Sequence, residues 1–162
     1  LKLHDQPTLT LFCGLPGSGK TTLAKRLEQT GKGIRICTDD WQEHLGIDHS
    51  NETFHDKLQD RLYELVLELL RRGQDVILED GLWQKFERSQ KRADAKRSNA
   101  RTEIHVFDVP FDELWRRLEY RNDHLAHGAV PINGQQFERY WQIFQRPDEH
   151  ELRLFDDYTV YN

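Results

Sequence analysis

The chain has no methionine, only two cysteines, no long apolar run and no excess of positive charge. The missing methionine, with Leu1 in first place, reads as a processed or altered start and has no functional meaning. Cys13 and Cys37 each fall at the end of a predicted buried strand, which makes them core thiols of the kind common in reducing compartments. No stretch approaches the roughly 18 apolar residues that a membrane span needs, and the N-terminal stretch has no secretory pattern. A cytoplasmic location without a membrane partner is therefore expected. A formal charge of −5 does not favour a large basic face for nucleic acid or anionic membrane, and nucleic acid stays a possible but not favoured partner.

What is present suits one folded unit. The 162 residues are 36% hydrophobic and 31% charged, polar but with enough periodic apolar sequence for a core, and a single domain over 1–162 is expected. There is no repeat, low-complexity tract or interdomain linker.

Along the chain, strands and helices alternate. Thr8 to Cys13 is β-prone and runs into the glycine-rich Gly14 to Gly19, after which Lys20 to Gln29 reads as helix. Gly33 to Thr38 gives a second strand with Asp39 and Asp40 at its end. From about Phe54 to Arg72 a helix sets Leu58, Leu62, Leu65 and Leu69 on one face and stops before Gly73. Asp75 to Leu78 is a third strand ending in Glu79-Asp80-Gly81. A basic helix from Gln84 to Asn99 follows, its charges expected in water. Then come a strand over Glu103 to Val109, helices over Asp112 to Arg121 and Gln135 to Phe144, and a short strand at Tyr158 to Tyr161. This order predicts a parallel sheet with helices on both faces and a ligand crevice at the carboxyl ends of the strands. The stretch from Asn122 to Asn133 lacks pattern, and a small lid is expected around 117–133.

Gly14-Leu15-Pro16-Gly17-Ser18-Gly19-Lys20-Thr21 matches G-x-x-x-x-G-K-[ST] between a strand and a helix, the context that this phosphate-binding motif requires. Glycines let backbone N–H groups converge on phosphate oxygens, and the helix that follows adds its positive end. Lys20 is expected at the β- and γ-phosphates of ATP and the Thr21 hydroxyl at magnesium. Thr22, next in the helix, counts with the cofactor-binding residues.

The carboxylates at the strand ends are the candidates for chemistry. Asp39 is expected to face the γ-phosphate and a substrate hydroxyl, with Asp40 beside it; an N-cap for a helix starting at Trp41 is the alternative role. Glu79 and Asp80 end an apolar run as a magnesium carboxylate would, and a turn before Gly81 is the competing reading. Which of the two points inward stays open. Arg117 and Arg121 share a helix face where they would meet phosphate or adenine, or else pair with Glu113 or Glu119. His124 and His127 have helical spacing but lack the companions of a zinc site. Trp41 and Trp83 wall a substrate pocket or pack in the core.

With these motifs the chain resembles the small P-loop kinase-like proteins often labelled AAA-family ATPases, a group near zeta-type toxins, chloramphenicol phosphotransferase and phage polynucleotide 5′-kinase. The resemblance rests on Gly14 to Thr21, Thr38 to Trp41, Val76 to Trp83, Leu114 to Leu118 with Arg121 and Asn122, and Phe144 with Pro147 and Glu149. It implies a three-layer α/β fold with a five-stranded parallel sheet in the order 2-3-1-4-5. It also implies that Asp39 is the general base, that Arg117 and Arg121 are lid arginines, and that Phe144 to Glu149, with Pro147, borders adenine. Two positions depart from the pattern: Glu79 stands where an aspartate is usual, and Gln42 where polynucleotide kinases carry arginine.

Three activities fit these observations. The leading one is transfer of the ATP γ-phosphoryl group to a hydroxyl of a small molecule. A polynucleotide 5′-kinase would want a basic, aromatic channel, which this acidic chain does not advertise. A nucleotide-dependent switch, hydrolysing ATP slowly, is the third.

Overall fold

The computed structural model describes residues 6–125 and 131–162. Strand β1 (Thr8–Cys13) passes through the glycine-rich loop into α1 (Lys20–Gln29). Strand β2 (Ile34–Ile36) leads to α2 (Thr38–His44) and α3 (Glu52–Arg71), and β3 (Val76–Leu78) leads to α4 (Lys85–Arg97). Strand β4 (Arg101–Phe107) precedes α5 (Phe111–Asp123), α6 (Gly134–Ile143), α7 (Glu149–Leu152) and the edge strand β5 (Asp157–Tyr161). All pairings are parallel, in the order β2-β3-β1-β4-β5, the expected arrangement.

Period-2 alternation assigns the two faces of the sheet. Leu9, Leu11 and Cys13 of β1, with Ile104 and Val106 of β4, join a large core that takes in Leu62, Val66 and Leu70 of α3 and Leu114 and Leu118 of α5. Phe12, Ile77 and Phe107 join a smaller one against Ala24, Leu23 and Leu27 of α1. Each fully buried aliphatic side chain contributes about 2 kcal/mol of transfer free energy. Because Leu11 pairs with both Leu78 and Ile104, β1 lies at the sheet centre and delivers the glycine-rich loop to the middle of its carboxyl edge. The N–H of Gly14 donates to the Gly81 carbonyl at 3.0 Å, which carries the β1–β3 pairing past the strand ends.

Three local features depart from expectation. Strand β2 stops at Ile36 and α2 starts at Thr38, with Cys37 as N-cap, so Asp39 and Asp40 lie in a first helical turn where carboxylates complement the helix dipole. The α4 charges do not all face water. Arg88 is fully buried: its Nε and Nη2 donate to Glu151 at 2.6 and 3.0 Å, and its Nη1 donates to the carbonyls of Leu82 and Trp83 at 2.9 and 3.2 Å. A buried guanidinium is tolerated only with such complete pairing. On α3, complete burial falls on Leu62, Val66 and Leu70, while Leu58, Leu65 and Leu69 pack at the core margin.

The expected lid around 117–133 covers the end of α5 and the residues after it, and 126–130, including His127, lie outside the described residues. On its flanks the Asn122 amide donates to the Ile132 carbonyl at 2.7 Å and accepts from its N–H at 3.0 Å. No helix among the described residues is long and apolar enough to cross a membrane.

Candidate active site

The glycine-rich loop is built for an anion. Gly17 and Gly19 have φ of 79° and 106°, conformations that a side chain would strain, and Gly19 caps α1 with no side-chain acceptor on the first-turn N–H groups. The Ser18 hydroxyl is buried without a partner. Nζ of Lys20 donates to the carbonyls of Gly14 and Leu15 at 2.9 and 2.8 Å. Burial lowers the Lys20 ammonium to about 8, with Glu79 opposing the shift. A cation held back by desolvation, beside unfilled donors, fits a phosphate chain.

Strand pairing brings the Thr21 hydroxyl and Glu79 together across the loop, where the hydroxyl donates to the Glu79 carboxylate. Arg35 of β2 holds that carboxylate from the other side, its Nε donating to Oε2 at 2.6 Å, and also pairs with Asp40. Burial would raise the Asp40 carboxyl, but the Arg35 hydrogen bond and charge hold it below its ordinary value. Glu79 is therefore the strand-end acid turned to the phosphate loop. Asp80 faces the other way, toward α3 and α4, where burial raises its carboxyl and Lys91 opposes the shift. No group of three or more His, Cys, Asp or Glu side chains gathers for a metal among the described residues. Two protein oxygens suit a magnesium ion that draws its other ligands from water and phosphate.

A cavity of about 830 Å³ runs from the loop to the α3–α4 wall. Of the expected residues, Pro16, Gly17, Ser18, Gly19, Lys20, Thr21, Thr22, Asp39, Glu79, Asp80, Trp83 and Arg121 line it. The Asp39 side chain is 70% exposed at the rim, with Nδ1 of His55 at 3.6 Å from Oδ1. Trp83 lies across the loop, its Nε1 donating to the Gly14 carbonyl at 3.0 Å and its ring 5.0 Å from that of Tyr140.

Gly14 and Leu15 sit beneath this lining, part of the loop backbone. Four other expected residues lie away from the cavity wall. Asp40 turns to Arg35 because it projects about 100° round α2 from Asp39. Trp41, one residue further round α2, is 43% exposed. Arg117 pairs with Glu113 at 2.8 Å and leans on the carbonyls of Gly17 and Ser18 at 3.5 Å, bracing the loop from outside. Pro147 is half-buried in the segment between α6 and α7, which is stitched to the phosphate loop's neighbour by the Gln145 N–H donating to the Trp83 carbonyl at 2.9 Å.

Sequence reading missed the far wall: His55, Gln59 and Tyr63 of α3, and Lys91 of α4. Their signal was present as residues with polar groups at i, i+4 and i+8 on the first turns of α3, in line with the buried Leu62, Val66 and Leu70 further along. Gln42 is completely buried; its Nε2 donates to the Asp48 carbonyl at 2.8 Å and its Oε1 meets Nδ1 of His55 at 2.9 Å. With the amide's donor used on Asp48, Oε1 accepts, so Nδ1 of His55 carries a proton and donates it there.

The sheet order and the loop define a protein of the P-loop kinase fold. The family model for an AAA domain matches residues 9–147, and the chain belongs to that family. No curated protein matches the chain. Among solved structures it is similar to a chain of the Pnkp1/Rnl/Hen1 RNA repair complex, with 23% identity, a TM-score of 0.75 and coverage of 96% of this chain but 48% of that one. In a second structure of the Pnkp1/Rnl/Hen1 complex the match covers 40% of the other chain, so this protein spans less than half of either. It is also similar to a putative kinase from Chloroflexus aurantiacus, with 18% identity, a TM-score of 0.74 and coverage of 96% and 85%. Kti12 from Chaetomium thermophilum, solved with ADP-AlF3, has 20% identity, a TM-score of 0.68 and coverage of 96% and 88%. At these identities the likeness is one of fold.

Proposed function

We propose that this protein is a phosphotransferase that moves the γ-phosphoryl group of ATP to a hydroxyl of a small molecule. The observation that supports it most is that Lys20, Thr21 and Asp39 line one cavity whose opposite wall is made of polar side chains, enough room for a phosphate chain and an acceptor together. The loop from Gly14 to Thr22 holds the phosphates through backbone N–H groups, and Lys20 answers the charge at their outer end. Thr21 and Glu79 would hold magnesium. When bound, that ion offsets charge on the phosphate oxygens as the phosphoryl group transfers.

Asp39 receives the proton of the acceptor hydroxyl as its oxygen attacks phosphorus. Asp39 lies exposed at the cavity rim, and Arg121 adds positive charge on the side of the leaving phosphates. Positioning supplies most of the rate in such a reaction, since the transferred group needs little covalent help.

The test uses ATP labelled at the γ-position, magnesium, and a panel of hydroxyl compounds together with an oligoribonucleotide bearing a 5′-hydroxyl. The expected result is label on a small compound at a rate well above release to water, lost in Lys20→Ala while the fold is kept. Label on the oligonucleotide end would make the protein a polynucleotide kinase. Label in free phosphate alone, whatever is added, would make it an ATP-hydrolysing switch.

A further inference from the structure

Charge divides the cavity into two unlike halves. The cations Lys20 and Arg121 stand at the phosphate loop. Across from them the wall presents Asp39, Asp60, Asp80 and Glu87, and Lys91 is its one lysine or arginine among the described residues. That lysine is engaged within the protein, its Nζ lying 3.3 Å from the centre of the Tyr63 ring. Tyr63 in turn donates its hydroxyl proton to Asp94 at 2.6 Å. Glu87 is partly used in capping α4, where it accepts from the Gln84 N–H at 2.9 Å. Asp60 has no ion pair among the described residues. Asp80 is answered by Lys91, which leaves Asp39, Asp60 and Glu87 as the acids that give the acceptor half its net negative charge.

Two further observations describe what would sit there. The side-chain amide of Gln90 offers both donors and an acceptor, and that of Gln59, which reaches Asp80, keeps acceptor capacity, the equipment for hydroxyl groups. Phe86, an aromatic residue 68% exposed at the mouth of the cavity, gives an apolar plate with no partner in the core. Amides, carboxylates and an aromatic face together suit a ring with several hydroxyls and C–H faces. They do not suit a run of phosphates, which the acids would repel.

Resting on the phosphotransferase reading above, we propose that the acceptor is a polyhydroxylated amine, bound as a cation with its ammonium against the acidic α3–α4 wall and one hydroxyl at Asp39. The reaction balances as an ordinary transfer. The hydroxyl oxygen forms the new bond to phosphorus, the bond from the γ-phosphorus to its bridging oxygen breaks, ADP leaves, and the hydroxyl proton passes to Asp39. The ammonium is held and does not react.

Matched acceptors test this, with kcat/KM as the readout. Glucosamine and kanamycin are the cationic probes, and N-acetylglucosamine, myo-inositol, glucuronate and a 5′-hydroxyl oligoribonucleotide are the neutral and anionic ones. The expected result is transfer to a cationic probe with at least a tenfold advantage over the neutral compounds, and a KM that rises with salt. In Asp60→Asn, an exposed position where folding is not at risk, KM for the cationic probe should rise several-fold with kcat held. A neutral or anionic probe used as well as or better than the amines would overturn the proposal while leaving the phosphotransferase reading intact. Turnover of the amines with no response to salt or to Asp60→Asn would also overturn it. Transfer to none of the probes, with ATP bound, would sink this proposal and the phosphotransferase reading together.

Discussion

The two ends of the cavity are made in opposite ways. At the nucleotide end, eight consecutive residues use backbone geometry, and a rigid frame holds them: Gly14 to Gly81, Trp83 to Gly14, and Arg88 to Glu151 beneath. At the acceptor end, side chains from α2, α3 and α4 converge, several of them exposed and few tied to one another. A site built from backbone depends on the frame beneath it, whereas one built from dispersed side chains can change its substrate by single replacements.

The largest expected effect separates chemistry from nucleotide binding. In Asp39→Asn phosphoryl transfer should fall roughly a thousandfold, the scale of a lost general base, while calorimetry shows ATP affinity near that of the wild type. Asp40→Asn, which faces Arg35 and not the cavity, should keep most of its activity. Loss at Asp40 with near-normal transfer at Asp39 would exchange their roles.

Next in size is the frame. Arg88→Ala leaves Glu151 buried and unpaired, and a chemical melt should show a loss of about 4 kcal/mol. The double replacement Arg88→Met with Glu151→Leu should recover most of it, since apolar residues of similar volume replace a buried pair at little cost. If the single variant melts like the wild type, the pair is not what supports the Leu82–Trp83 turn beside the phosphate loop.

A smaller effect sharpens the nucleotide end. ATP with magnesium should raise the melting temperature more than ATP alone, because a ligand that binds only the native state stabilises it. Thr21→Ala should erase much of that difference by removing the hydroxyl beside Glu79. An unchanged magnesium increment in this variant would move the metal away from Thr21.

The smallest concerns the two thiols. Burial pushes Cys13 up to about 11 and Cys37 up to about 12, and the nearby Arg88 only partly opposes the shift at Cys13. At pH 8 the thiolate fraction is on the order of one in a thousand or less. Iodoacetamide should therefore label neither in the folded protein, and labelling should rise with pH toward 11 or with denaturant. Fast labelling of Cys13 at pH 8 would mean that the end of β1 opens readily, against the rigid frame described above.

Much of this was legible in the residues themselves. The G-x-x-x-x-G-K-T run encodes a local backbone path, so its chemistry could be read without knowing what surrounds it. The alternation of strands with helices pointed to a parallel sheet, its order 2-3-1-4-5 coming from the family resemblance, and the Gly73 stop and the α3 leucines located the longest helix to within two residues. Other features were not legible. The early start of α2 depended on Cys37 serving as a cap, and that turn separated Asp39 from Asp40. Arg88 looked like a surface charge because its partner, Glu151, is 63 residues away.

By itself, then, the amino-acid order determined the phosphate loop, the α/β class and the magnesium-side candidates Thr21 and Glu79 or Asp80, because each is a short-range pattern with its own physical meaning. Tertiary structure alone decided that Glu79 and not Asp80 meets Thr21, that Arg35 and Arg88 are internal braces, and that His55, Gln59 and Lys91 share a wall with Asp39. The reason is one of range. A backbone conformation is dictated by neighbouring residues, but which side chains meet across a cavity is set by packing between elements tens of residues apart, and no local pattern encodes that.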